Sequence, residues 1–168
     1  MRPATSRPVD LVADTGDWEV EGQVSVHRAA GIVELRLSPP DVPSPPETVA
    51  AIEAADQVVL GPGSLYTSVL ASVLAPDVGE ALGRRSGPLV LVANLSADVE
   101  GPWALEDQVR ILADHGVLPD MVLVDDSHGE GSAGPVALRR AAVAVLDGES
   151  HDPLLLGKAL AGCTAANM

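Results

Sequence analysis

Gly61, Pro62, Gly63, Ser64, Leu65, Tyr66, Thr67 and Ser68 hold the residue types and spacing best suited to chemistry in this chain. Glycines let a ligand approach the backbone, and the free amides that open a helix point at an anion. Ser64, Thr67 and Ser68 add hydroxyls where a phosphate would sit. A second reading is an ordinary strand-to-helix turn, in which Gly61 and Gly63 supply unusual dihedrals and Ser64 caps the helix. Three familiar motifs are excluded. Tyr66 stands where a dinucleotide fingerprint needs its third glycine. Pro62 and Tyr66 occupy the glycine places of a nucleophile elbow. Gly157-Lys158 is followed by Ala159 and has no glycine five residues earlier, so it is not a P-loop.

The neighbouring elements must hold that turn in place. Residues 57–60 are short and rich in β-branched side chains, as a buried parallel strand is. Val69, Leu70, Val73 and Leu74 fall on one helical face, predicting a helix over 66–75 that stops near Pro76. Strands are expected at 89–93, 121–124 and 142–146. A helix is expected at 105–114 with Leu105, Val109 and Leu112 inward, and a last one is capped by Asp152 with Pro153 at its first position. Upstream, 23–27 and 32–37 read as a β-hairpin, and the proline-rich stretch 39–46 leads to a helix that runs to about Ala55. The fold class is therefore α/β: a partial Rossmann-like, three-layer parallel sheet with a preceding β-hairpin. It forms a single domain over 1–168, with the hairpin segment in 1–40 and the βαβ core in 41–168. Such a sheet binds ligands at the carboxyl ends of its strands, where the turns 61–68, 94–101 and 125–134 share one rim. Asn94 closes its strand there, with an amide able to read a sugar or base edge or to cap its own turn.

Composition narrows the function classes. A formal charge of −14 with a single lysine argues against a nucleic-acid partner. Arg84-Arg85 and Arg139-Arg140 are the paired cations available to a phosphate, or plain surface. Cys163 is alone, which removes intrachain disulfides and cysteine metal clusters. The histidines show no zinc spacing, and Asp125, Asp126 and His128 read as a polar loop rather than a metal site. Residues 1–8 lack the apolar core of a secretory signal, and nothing approaches a membrane span, so a cytoplasmic protein is expected. With no Phe, one Tyr and two Trp, the core must be filled by Val, Leu and Ala.

Residues 59–68 also resemble the signature of the gluconeogenesis factor (YvcK-like) family of the CofD-like superfamily, whose members read as an apolar strand, then GPGSLYTS, then a helix. The octapeptide agrees completely, and segments at 22–26, 46–56, 89–94, 121–124 and 151–153 agree in order. The resemblance covers the later half of that family. The glycine-rich GGGTG-like turn that opens full members is not found, and residues 95–101 replace the usual Thr-Gln and Gly-Glu-Thr stretch. The resemblance implies a regulatory protein that binds a UDP-sugar and is linked to carbon metabolism and cell-wall and shape control. It implies no catalytic residue and no metal, and Gly61, Gly63, Ser64, Tyr66, Thr67, Ser68 and Asn94 are the ligand-binding candidates. An alternative is a 2-phospho-L-lactate-type transferase, the one reading that would need magnesium. Another is a remnant or half of a split protein, expected to self-associate or to require the missing N-terminal half.

Overall fold

Every residue of β5 (Leu89–Val92) and β6 (Met121–Asp125) is buried, the pattern of strands covered on both faces. The computed structural model describes residues 1–97 and 100–163. In it these strands sit at the centre of a four-stranded sheet, flanked by β4 (Val58–Leu60) and β7 (Ala137–Ala141) in the order β4-β5-β6-β7. All three pairings are parallel, with Leu60 beside Leu91, Val92 beside Leu123 and Asp125 beside Ala141. Alternation divides the interior. Leu89, Leu91, Val122 and Val124 join the larger core, whereas Val90, Val92, Met121 and Leu123 join a smaller one with Val143, Ala159 and Cys163. Helix α6 (Pro153–Ala161) covers this second face. Three layers result, as the apolar runs predict.

A separate antiparallel sheet, β2-β1-β3, packs Leu11, Ala13, Leu35 and Leu37 against the larger core. Its strands are β1 (Asp10–Asp14), β2 (Glu19–Glu21) and β3 (Glu34–Ser38). The expected hairpin is thus corrected. Residues 23–27 form a one-turn helix, α1 (Gln23–His27), entered through Gly22 at φ 88°. The true hairpin joins β1 to β2, and β3 pairs with the other edge of β1. Val26 is buried but Val24 is 63% exposed, so the Val24/Val26 alternation marks two faces of a helical turn rather than one face of a strand.

Helix α2 (Pro46–Glu53) follows the proline-rich link as expected. After β4 the chain enters a π-helical turn, Leu65–Leu70, which runs into α3 (Ala71–Val73). The Val69 amide donates to the Ser64 carbonyl at 3.0 Å, the wider bonding that defines such a turn. The helical run stops at Val73, in keeping with the end expected near Pro76. Pro76 itself opens α4 (Pro76–Arg84), where its missing N–H is no loss. Helix α5 (Leu105–Asp114) buries Leu105, Val109 and Leu112, as its spacing predicts. The strand expected at 142–146 is also corrected: the fourth strand is β7, and Ala144 makes an isolated bridge to His151 instead. The Asp152 carboxylate accepts from the Leu154 and Leu155 amides, and Pro153 takes the first helical position.

Candidate functional site

Parallel pairing brings the carboxyl ends of β4, β5 and β6 to one rim, where the turns after them meet. Gly61 follows β4 with φ 77°, a left-handed conformation, and an added Cβ would lie 2.9 Å from the Val92 carbonyl oxygen. Only glycine lets the chain turn this close to β5. At Gly63 a Cβ would meet Ser68 Cβ at 3.1 Å.

Asn94 holds the turn from the end of β5. Its Oδ1 accepts from the Gly63 amide at 2.9 Å and its Nδ2 donates to the Gly63 carbonyl at 3.2 Å. This reciprocal pair copies a strand ladder between a side chain and a backbone unit. Among the described residues, the second amide hydrogen and second lone pair of Asn94 have no protein partner beyond Gly63 and face the rim.

Glu100 caps the start of the helical turn from within the chain. Its side chain is fully buried, and its Oε1 accepts from the Tyr66 amide at 3.1 Å, the Thr67 amide at 2.9 Å and the Thr67 hydroxyl at 3.0 Å. Its Oε2 faces His27 Nδ1 at 3.2 Å. The carboxylate therefore occupies the positive end of the helical turn, where an incoming anion would otherwise bind. Ser64 and Leu65 retain amides with no acceptor among the described residues.

An open cleft of about 420 Å³ lies above the rim, lined on one side by Pro62, Gly63 and Ser64. Residues 94–97 and 149–151 complete its lining. The size suits a small organic ligand. Of the sequence candidates, Gly63, Ser64 and Asn94 line this cleft, and Gly61 lies beneath it against β5. Tyr66 and Thr67 are buried beside Glu100. Burial pushes the Tyr66 phenol above its ordinary range; Arg110 opposes this and Glu100 adds to it. Ser68 borders the opposite flank with Val59, Pro62 and Ser72. The turn expected at 94–101 is described except for residues 98 and 99.

Glu100 and His151 are the residues that sequence reasoning passed over. His151 reaches the cleft because Asp152, beside it, anchors the start of α6. Burial lowers its basicity, which the Ala93 carbonyl and Asp125 partly restore, so it presents a neutral imidazole at neutral pH. Asp125 itself is committed to structure: it accepts from Ser127 and from the Val143 and Ala144 amides. Among the described residues no three His, Cys, Asp or Glu side chains converge to hold a metal. No helix among them is long and apolar enough to cross a membrane.

Comparison with known proteins gives the same picture of kinship. The family model for 2-phospho-L-lactate transferase CofD matches residues 1–147. A protein of Deinococcus radiodurans named "Putative gluconeogenesis factor" is 35% identical over 163 residues, covering 89% of this chain and 34% of its own length. A protein of the same name from Mycobacterium tuberculosis is 36% identical over 137 residues, covering 79% of this chain and 40% of its own. The crystal structure of a UPF0052 family member from Bacillus halodurans superposes with a TM-score of 0.85 at 26% identity, over 95% of this chain and 60% of that one. The chain spans well under half the length of these two curated relatives.

Proposed function

This chain belongs to the CofD family, and from that premise we propose that it forms one wall of a UDP-sugar site in a regulatory, gluconeogenesis-factor-like protein. The observation that carries the reading is the clamp of Asn94 on Gly63 beside the cleft. It holds the turn so that the Ser64 and Leu65 amides and the Ser64 hydroxyl are the groups offered to a diphosphate. No Lys or Arg lines the cleft among the described residues, and Glu149 is its carboxylate. Affinity on this reading comes from backbone hydrogen bonds and side-chain amides rather than from charge, which suits a chain of formal charge −14. Control of carbon metabolism and of cell-wall supply is the role we attach to that binding, in a cytoplasmic protein.

Calorimetry with UDP-glucose tests the reading. Wild type binds, and Gly63→Val abolishes binding, because the branched side chain crowds Ser68 and blocks approach to the backbone. Equal affinity in the two proteins removes this turn from the site. The family's description also names a transferase, and that reading predicts turnover dependent on a divalent metal. Among the described residues the lining offers a magnesium one carboxylate, Glu149. Product formation in the presence of magnesium would replace regulation by catalysis.

A further inference from the structure

Aromatic side chains are scarce here: one Tyr, two Trp and no Phe. Tyr66 is buried in the core and Trp18 stands exposed beside β2, far along the chain from the rim turns. Trp103 alone lies at the rim, and it is 38% exposed. Its ring stacks on that of His128, with centroids 4.4 Å apart and planes 19° from parallel.

Both halves of the stack are anchored through their backbones. Gln108 of α5 donates from Nε2 to the carbonyls of Pro102, at 2.9 Å, and Trp103, at 3.3 Å. Arg140 of β7 donates to the carbonyls of His128, at 2.7 Å, and Gly129, at 2.9 Å, and the His128 amide donates to the Asp125 carbonyl. An indole on a loop usually gains entropy by moving. This one is held from two elements and still presents surface to solvent, which is the preorganised form of a stacking site.

Its position joins it to the cleft. Trp103 and Gly101 border a small cavity of about 20 Å³ together with Gly63, Asn94 and Ser96. Those last three residues also line the open cleft. The cavity holds roughly one water, so a ligand lies across its mouth rather than within it.

We propose that Trp103, backed by His128, is the platform on which the ligand's planar heteroaromatic base stacks, making Trp103 a specificity-determining residue of the nucleotide site. The inference rests on the nucleotide-binding reading and deepens it. A site with no cation among its described lining residues gains little from phosphate charge alone. A π-face supplies attraction that is indifferent to the acidity of the chain, and stacking between a base and an aromatic side chain is a substantial term.

The test compares a ligand that carries the base with one that lacks it, using the full chain. Trp103→Leu should weaken UDP-glucose by about 5- to 150-fold, the range for loss of one stacked base. The same substitution should leave glucose 1-phosphate binding unchanged, and Trp103→Phe should recover most of the loss. In a Trp18→Phe background, where Trp103 is the one tryptophan, UDP and UMP should quench its fluorescence and glucose 1-phosphate should not. If UDP-glucose binds wild type and Trp103→Leu equally, or if both ligands weaken together, the platform is overturned while the cleft reading stands. If wild type fails to bind UDP-glucose at all, the cleft reading falls and the platform with it.

Discussion

Glu100 Oε1 accepts from both the amide and the hydroxyl of Thr67, at 2.9 and 3.0 Å, so one buried carboxylate closes the helical turn that an eight-residue motif opens. The loop after β5 thereby holds the turn after β4 from behind, while Asn94 holds it from in front. Through His27 the same carboxylate reaches α1 and the small antiparallel sheet. Thr67 and Tyr66 thus serve the site by fastening its frame.

Removing that carboxylate should therefore act on stability first. Glu100→Ala leaves the Tyr66 and Thr67 amides buried without an acceptor, at a cost of about 1–3 kcal/mol for each unsatisfied group. The melting temperature should fall by roughly 6–12 °C for a total near 3 kcal/mol in a domain of this size. Glu100→Gln keeps one oxygen for the Thr67 donors and should lose less. A scanning melt with equal temperatures for wild type and Glu100→Ala would remove Glu100 from the frame.

Asn94→Leu deletes both halves of the clamp on Gly63. Because the amide is engaged with the turn itself, we expect both the melting temperature and UDP-glucose affinity to fall, the affinity by about 5- to 150-fold, equivalent to 1–3 kcal/mol. Asn94→Asp separates the two bonds, since it still accepts from the Gly63 amide but donates nothing to the Gly63 carbonyl. It should retain more affinity than the leucine variant. A large drop in melting temperature with unchanged affinity would leave Asn94 a purely structural role.

Gly61 and Gly31 make a matched pair for backbone strain. Both have positive φ, 77° and 71°, but a Cβ on Gly61 meets the Val92 carbonyl at 2.9 Å whereas one on Gly31 meets nothing within 4 Å. Gly31→Ala should cost about 1–2 kcal/mol, the left-handed penalty alone. Gly61→Ala adds a clash with backbone that cannot swing aside, and it should lose clearly more in urea unfolding. Equal midpoints for the two variants would mean that the 61–63 turn yields to accommodate a side chain.

What was legible in the sequence follows from how far each signal reaches along the chain. The central strands announce themselves because Leu89–Val92 and Met121–Asp125 must be apolar on both faces. Asp152 and Pro153 mark the start of α6 within two residues. Helix α1 is too short for a 3.6-residue period to appear, and β1 offers only Leu11, Val12 and Ala13 between two aspartates. Strand β7 hid behind Arg139 and Arg140, whose guanidinium groups reach the carbonyls of Gly162, His128 and Gly129. The same distinction divides the site. Gly63, Ser64 and Asn94 sit at strand ends and are readable as such. Glu100 and His151 arrive from segments whose place only the folded sheet decides, and Glu100 stood out only as part of a departure from the family's usual stretch.

The open edge of β4 carries a prediction about association. Val59 is 38% exposed on an edge strand with no neighbour beyond it among the described residues, and the chain spans a minor part of the relatives it matches. Such an edge invites pairing with a further strand, from a second copy or from the other half of the relatives' sequence. Sedimentation should find dimers or larger species that Val59→Lys reduces. A stable monomer in both proteins would mean that the edge is self-sufficient.

Asp125 sets the response to acid. Burial alone would raise its pKa, but hydrogen bonds from the Ser127 hydroxyl and from the amides of Val143, Ser127 and Ala144 outweigh it and hold the carboxyl well below the usual range. A group depressed in the folded state stabilises the fold above its unfolded value, about 3.9, and that contribution is lost as pH falls toward the folded value. Stability should therefore decline below about pH 4. The chain has 24 acidic residues, so the share due to Asp125 must be read by difference. Asp125→Asn cannot serve all these donors, and at neutral pH it should cost about 2 kcal/mol or more. Its urea midpoint should then fall less steeply than wild type as pH drops from about 4 toward the folded value, narrowing the gap between the two curves. Parallel curves across that interval would show that the buried carboxylate is not the group whose protonation weakens the fold.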